Sequence, residues 1–181
     1  MSTTHLPPTY IADADVDESL DRELRELLSQ NFTGAEDTVF KHRRYFNEPA
    51  AHRWIVRGTD GVLAAHLAVH DKAFQLDHET LPFGGIAEVC VRPEFRGQKL
   101  VKHLLAEAHV WLTAQKVPFA SLFGDPQYYG SSGYIPVTNV CHEVADEQGR
   151  IQRKPAAHFL VASLSPRPWP TGEIFLPGKP F

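Results

Sequence analysis

The sequence predicts an α+β domain built on a mixed β-sheet, and three observations lead there. Two leucine-bearing segments repeat at helical spacing, one near the start of the chain and one past its middle. Around them lie short runs rich in valine, isoleucine, phenylalanine and alanine, bounded by glycine, proline and aspartate. One such run, GGIAEVCVRP, is followed by the stronger helical segment and then by another apolar run, the order of a parallel crossover.

Each element follows from its own residues. In ADVDESLDRELRELLSQNF, Leu20, Leu24, Leu27 and Leu28 fall at i, i+4, i+7 and i+8, and Asp15 or Asp17 stands ready as a cap, so an amphipathic helix is expected. After Gly34, AEDTVFKHRRYF reads as a second, shorter helix. The period then changes: RWIVRGTDGVLAAHLAVHD reads as two strands around the turn residues Thr59, Asp60 and Gly61. KAFQLDHETLPF reads as a third strand, and GGIAEVCVRP as a fourth that lacks polar alternation and is buried on both faces. Leu100, Val101, Leu104, Leu105, Ala108, Trp111 and Leu112 then mark one face of the strongest helix. VPFASLFG is a short buried strand entered through Pro118, DPQYYGSSGY a short helix ended by glycine, and IPVTNVCHEV and HFLVASL are late strands. The tail, SPRPWPTGEIFLPGKPF, holds five prolines and reads as irregular from residue 165 to 181. About six to seven strands in one sheet, with helices on both faces, is the resulting expectation.

Composition bounds the function. The chain has 181 residues, 43% hydrophobic and 22% charged, which fits one globular domain over 1–181. A net charge of −4 argues against a nucleic-acid partner, which favours a basic surface. No apolar run approaches the roughly 20 residues that span a bilayer, and the opening residues show no basic-then-apolar leader, so a soluble, cytoplasmic protein with no membrane partner is expected. Cys90 and Cys141 lie in apolar, strand-like contexts and form no CxxC pair, so buried thiols are expected rather than a disulfide framework.

Val91 to Leu100, VRPEFRGQKL, joins the fourth strand to the strong helix. Read alone, it is either a plain turn shaped by Pro93 and Gly97 or an anion site, where unpaired N–H groups at a helix start meet Arg96 and Lys99. Its surroundings favour the second. IAEVCVRPEFRGQKLVKHLLAEA, followed by FASLFGDPQYYGSSGYIPV, resembles the GNAT acyl-CoA N-acyltransferase superfamily, with Val91, Pro93, Arg96, Gly97, Tyr129, Gly133 and Tyr134 in matching places. The resemblance covers roughly residues 50–138 and departs at Lys99 and Val101, where the family places small residues. Arg-Gly-Gln followed by a basic residue, Leu and Val is similar to the loop of aminoglycoside 2'-N-acetyltransferases. WPTG and LPGKPF in the tail resemble the end of the rhizobial nodulation N-acyltransferases.

The resemblance implies a GNAT fold with a splayed central strand pair, and acetyl-CoA as cosubstrate without a metal. Arg96, Gly97, Gln98, Lys99, Leu100 and Val101 would hold its pyrophosphate, and the backbone of Val89, Cys90 and Val91 its pantetheine arm. The reaction is then transfer of an acetyl group to a primary amine of a small molecule, aminoglycoside- or amino-sugar-like, by direct attack. A longer-chain acyltransferase on an amino sugar and a non-catalytic ligand-binding module remain as alternatives.

Acyl transfer to an amine needs a base and a proton for the departing thiolate. Glu88 lies inside an apolar strand, where burial raises a carboxyl pKa toward that of a general base; the bland reading is an edge carboxylate paired with a cation. It also matches a strand glutamate of the similar 2'-N-acetyltransferases. Tyr129 matches the family's general acid; a core aromatic is the bland reading, and Tyr128 takes the role if the register slips by one. Cys90 is a small buried residue or, less simply, a nucleophile without an activating histidine. His66 and His70 share a strand face, so metal binding is conceivable but lacks a matched carboxylate. Glu36 and Asp37 lie where the family roofs its acceptor and would meet a cationic amine, unless they are simply solvated. The Phe181 carboxylate is a further acceptor candidate, and the tail is equally an edge for a homodimer.

Overall fold

The leucine period near the start of the chain forms α1, Glu18–Asn31, in the computed structural model, which describes residues 5–146 and 148–181. Asp17 caps it, its carboxylate accepting from the Leu20 amide at 2.8 Å. Leu20, Leu24, Leu27 and Leu28 are all buried and pack with Phe40, Ile55, Leu63 and Cys90. The second helix expected after Gly34 is instead a 3-10 helix, Glu36–Lys41. Only Phe40 of this segment is buried, so no apolar stripe sustains an α-helix.

RWIVRGTDGVLAAHLAVHD forms β2, His52–Arg57, and β3, Leu63–Leu76, in antiparallel register. The separate third strand expected from KAFQLDHETLPF does not exist. β3 runs on to Leu76, the chain turns at Asp77 (φ 42°), and β4, Glu79–Val91, begins, so that segment holds the ends of two long strands. Asp77 takes the left-handed conformation that aspartate tolerates better than most residues, which places the turn inside what reads as one run. β1, Thr9–Ala12, pairs antiparallel with β2 and carried no sequence signal.

The chain divides into two compact units, Met1–His70 with Ile86–Val110, and Asp71–Gly85 with Trp111–Phe181. β3, β4 and α2, Leu100–Ala114, each contribute to both. The first unit holds β1, β2, the first part of β3, the second part of β4, α1 and most of α2. The second adds β5, Phe119–Phe123; α3, Pro126–Tyr129; β6, Ile135–Pro136; β7, Val140–Ala145; β8, Ile151–Pro155; β9, Phe159–Ser163; and β10, Ile174–Leu176. Its strands run in the order β6-β9-β5-β4-β3-β10-β7-β8.

β4 and β5 are parallel, the crossover the sequence predicts, and pair from Phe83↔Phe119 to Gly85↔Ser121. The tail is not wholly irregular: β10 pairs parallel with β7 and antiparallel with β3. Asn139 anchors the chain before it, donating to the carbonyls of Pro170 and Gly172 at 2.9 and 2.6 Å. The core of this unit is aromatic. Phe74 stacks on Phe83 with centroids 3.9 Å apart, and Trp169 meets Phe74 and Phe119 edge-on at 5.5 and 5.1 Å. Among the described residues, no helix is long and apolar enough to cross a membrane.

Candidate active site

The loop after β4 begins with the Arg92 amide on the Ala64 carbonyl at 2.8 Å and a single 3-10 turn over Pro93–Phe95. Gly97 and Lys99 then both take left-handed backbone, at φ 79° and 60°, before α2 starts at Leu100. Nothing lies within 4 Å of where a Cβ on Gly97 would stand, so glycine serves there for its φ. Left-handed residues beside a helix start turn backbone N–H groups into a concavity for anions. α2 has no acidic residue in its first turn, and Arg96, Lys99 and Lys102 are exposed around it. That donor set fits the pyrophosphate of CoA. Two further details shape this loop. The Arg96 guanidinium donates to Asn31 Oδ1 on α1 at 3.0 Å. Lys99 occupies a conformation that costs a residue with a side chain roughly 1–2 kcal/mol.

Three residues before the end of β4, Glu88 breaks the strand with φ 53°. Its carboxylate is 5% exposed; Oε1 accepts from the Phe46 amide at 2.9 Å, and Oε2 lies 3.4 Å from Arg53 Nη1. Burial pushes the Glu88 pKa up to about 7, with Arg53 and the Phe46 amide pulling the other way. Arg53 is fully buried on β2; its Nε donates to Asp13 and its Nη1 to His66 Nε2 at 3.0 Å. Arg44 donates to Asp13 at 2.7 Å and to Asp21 at 2.8 Å. Against the opposing effect of burial, Arg44 and Arg53 hold Asp13 below the ordinary carboxylate range, and Arg44 and Arg25 do the same for Asp21. A chain of alternating charges therefore runs from α1 to Glu88.

Sequence reasoning found Glu88 and missed Asp13, Arg44, Arg53 and the Phe46 amide. The one signal available was an arginine at the head of an apolar strand, Arg53 in RWIV. Val89, Cys90 and Val91 complete β4, and Cys90 is 4% exposed. Burial and the nearby Glu88 push its thiol pKa well above the ordinary range, so it is a core residue and not a nucleophile. His66 and His70 are both buried on β3, and His66 already bonds Arg53 and the Glu88 carbonyl. Among the described residues, no three His, Cys, Asp or Glu side chains group as a metal site.

In the second unit, Asp125 caps α3 by accepting the Gln127 amide at 2.8 Å. The Tyr129 ring lies against Gly124, where a Cβ would come within 2.7 Å of Cε2, and meets Tyr134 edge-on at 6.1 Å. Gly133, at φ 89°, ends the following turn. Tyr134 is buried and Tyr128 is 74% exposed, which leaves Tyr129 as the half-buried tyrosine of the segment. The Phe181 ring packs over Gly85 and against Phe83 and Phe123, with centroids 5.6 Å away in each case. In the first unit, Glu36 is exposed, while Asp37 accepts the Gly34 amide at 2.8 Å.

A long β4 interrupted at a buried glutamate, a left-handed loop, a helix start without acidic residues and a parallel return strand together define an N-acyltransferase of the GNAT class. Residues 15–137, more than half of the chain, match the family described as acetyltransferase (GNAT) domain, and the chain belongs to that family. Solved structures agree on the fold. A GNAT family N-acetyltransferase (YhbS) from Escherichia coli, in complex with CoA, is 18% identical over 97% of this chain and 91% of its own, with a TM-score of 0.70. A GNAT family acetyltransferase from Brucella melitensis, in complex with acetyl-CoA, is 16% identical over 92% and 94%, with a TM-score of 0.61. The ribosomal-protein-S18-alanine N-acetyltransferase of Escherichia coli is 14% identical over 89% and 96%, with a TM-score of 0.56. No curated protein matches the chain. The superfamily and the transferase class expected from the sequence stand on these findings.

Proposed function

We propose that this chain is an N-acetyltransferase that moves an acetyl group from acetyl-CoA to a primary amine of a small molecule by direct attack. The observation that carries the reading is Glu88, a buried carboxyl held by the Phe46 amide and Arg53 with its pKa near 7. A group poised there is about half ionised at neutral pH and takes a proton from an ammonium as it becomes a nucleophilic amine. Acetyl-CoA supplies the acyl thioester. This chain supplies the N–H groups of Gly97 to Val101 and the charges of Arg96 and Lys99 for the pyrophosphate, with the Val89–Val91 backbone assigned to the pantetheine arm.

Tyr129 is assigned the proton that the thiolate takes up, on the family resemblance and its half-buried phenol. Tyr129→Phe then lowers turnover far more than CoA affinity, and an unchanged rate removes it from the reaction. Glu36, Asp37 and Phe181 are assigned to the acceptor, aminoglycoside-like or amino-sugar-like. We place the whole of 1–181 in one GNAT domain whose CoA-binding core is about 50–138. We assign it to the cytoplasm, with neither nucleic acid nor membrane as partner and with the tail as the edge on which a homodimer could form.

Calorimetry with acetyl-CoA followed by thiol release over an amine panel tests the proposal. The panel holds aminoglycosides, amino sugars, polyamines and, given the S18-alanine neighbour, peptide N-termini. Absence of micromolar binding overturns the reading. Binding without release favours a non-catalytic module, for which Lys99 and Val101 in place of small residues are the ground. Release only from longer acyl-CoAs favours the longer-chain alternative.

A further inference from the structure

We propose that His66 is the positioning residue for Glu88: clamped as a neutral imidazole between Arg53 and the Glu88 carbonyl, it fixes the left-handed bend that turns the Glu88 carboxylate onto the Phe46 amide and Arg53. The proposal rests on the reading of Glu88 as the base.

The tautomer follows from the partners. Arg53 Nη1 stands 3.0 Å from His66 Nε2, and a guanidinium only donates, so Nε2 accepts. The proton therefore sits on Nδ1, which donates to the Glu88 carbonyl at 3.0 Å. That carbonyl belongs to a residue at φ 53°, where the regular alternation of β4 is broken. A buried carbonyl turned out of a ladder needs a donor from elsewhere, and His66 provides it across from β3. Arg53 Nη1 has two N–H groups, and it directs one to this ring and the other to Glu88 Oε2 at 3.4 Å, so His66 also fixes the guanidinium beside the carboxylate.

His66 does not relay protons. It is fully buried and lies beside a cation; burial first, and Arg53 second, push its pKa down to about 3. The groups that bear on Glu88 come from several elements. Arg53 stands on β2, His66 on β3, Asp13 on the turn before α1, and Cys90 on β4 itself, with Arg44 and Asp21 behind Asp13. Of these, Arg53 favours the Glu88 anion and Asp13 opposes it. Removing His66 releases the bend and opens a space beside Glu88 that admits water, and hydration of the carboxylate favours the anion.

The test compares His66→Ala, which removes donor and acceptor, with His66→Gln, whose amide offers both. Two readouts are used: the Glu88 carboxyl titration, taken by infrared difference against the corresponding Glu88→Gln background, and the pH profile of kcat/KM. In His66→Ala the carboxyl midpoint is expected to fall by about one unit or more, with kcat lowered about tenfold and KM for acetyl-CoA changed less. His66→Gln is expected to restore most of both. A wild-type midpoint in His66→Ala, or a His66→Gln that behaves like His66→Ala, overturns the proposal. Where His66→Ala does not fold by circular dichroism, His66→Gln decides alone: a midpoint near 7 supports the proposal and an ordinary carboxylate value overturns it. The two readings fail separately. A shifted midpoint with an active Glu88→Gln keeps the positioning role and removes the base; an unshifted midpoint with an inactive Glu88→Gln does the reverse.

Discussion

The two units are organised on opposite physics. The first has a chain of charges at its centre, from Asp21 through Arg44, Asp13 and Arg53 to Glu88, with Arg53 at 0% exposure. The second is centred on rings, with Phe74 stacked on Phe83 and edged by Phe159 and Trp169. A ring cluster gains by area and adapts to a change of shape. A buried charge has one acceptable arrangement, because a lost partner leaves an uncompensated ion in low dielectric. Tuned acidity therefore belongs to the charge chain of the first unit, while each unit keeps an apolar core of its own, leucines with Phe40 in the first and the rings in the second.

Four variants break or sharpen this contrast. Glu88→Gln removes the base, and kcat/KM is expected to fall about 10²- to 10⁴-fold, with loss of the rise through pH 7 expected of the wild type. Its stability carries a sign. The folded pKa of Glu88 lies above the unfolded value, so its contribution is complete below about pH 4.5 and lost as pH rises through about 7. Glu88→Gln therefore gains on wild type in urea midpoint between pH 5 and 8, and a constant difference contradicts the raised pKa. Arg53→Met leaves the buried Glu88 without its cation and Asp13 with Arg44 alone, and is expected to cost about 3–5 kcal/mol in urea unfolding. Phe74→Leu keeps apolar contact but loses the stack on Phe83, for about 1–2 kcal/mol. If it costs as much as Arg53→Met, the contrast between the units fails. Asp21→Asn, at the quarter-exposed outer end of the charge chain, is expected to cost under about 1 kcal/mol.

The same division governs what could be read from the sequence. α1 and α2 were legible because their burial is periodic, and the loop at Gly97 because its residues are consecutive. Glu88 stood out as one carboxylate in an apolar strand. Its partners did not, since Asp13, Arg53 and His66 come from separate elements and no spacing connects them. Arg53 reads as an ordinary strand-end cation, and His66 as one of ten histidines. β1 and β10 escaped for a related reason: their residues carry little alternation, and pairing with β2, β3 and β7 makes them strands. The 3-10 turn at Glu36–Lys41 reads as a longer helix in sequence because its charges and aromatics suit a helix locally, while the missing apolar stripe shows only in burial.

The placement of the cysteines has a practical consequence for assays. The chain has two, and Cys90 and Cys141 are 4% and 8% exposed with their thiols pushed up in pKa. Aromatic disulfide reagents consume thiolates that they can reach, so the native protein is nearly silent toward them. Colour that develops during turnover then reports coenzyme set free. A variant that has lost its fold announces itself before any substrate is added, by titrating two equivalents per chain.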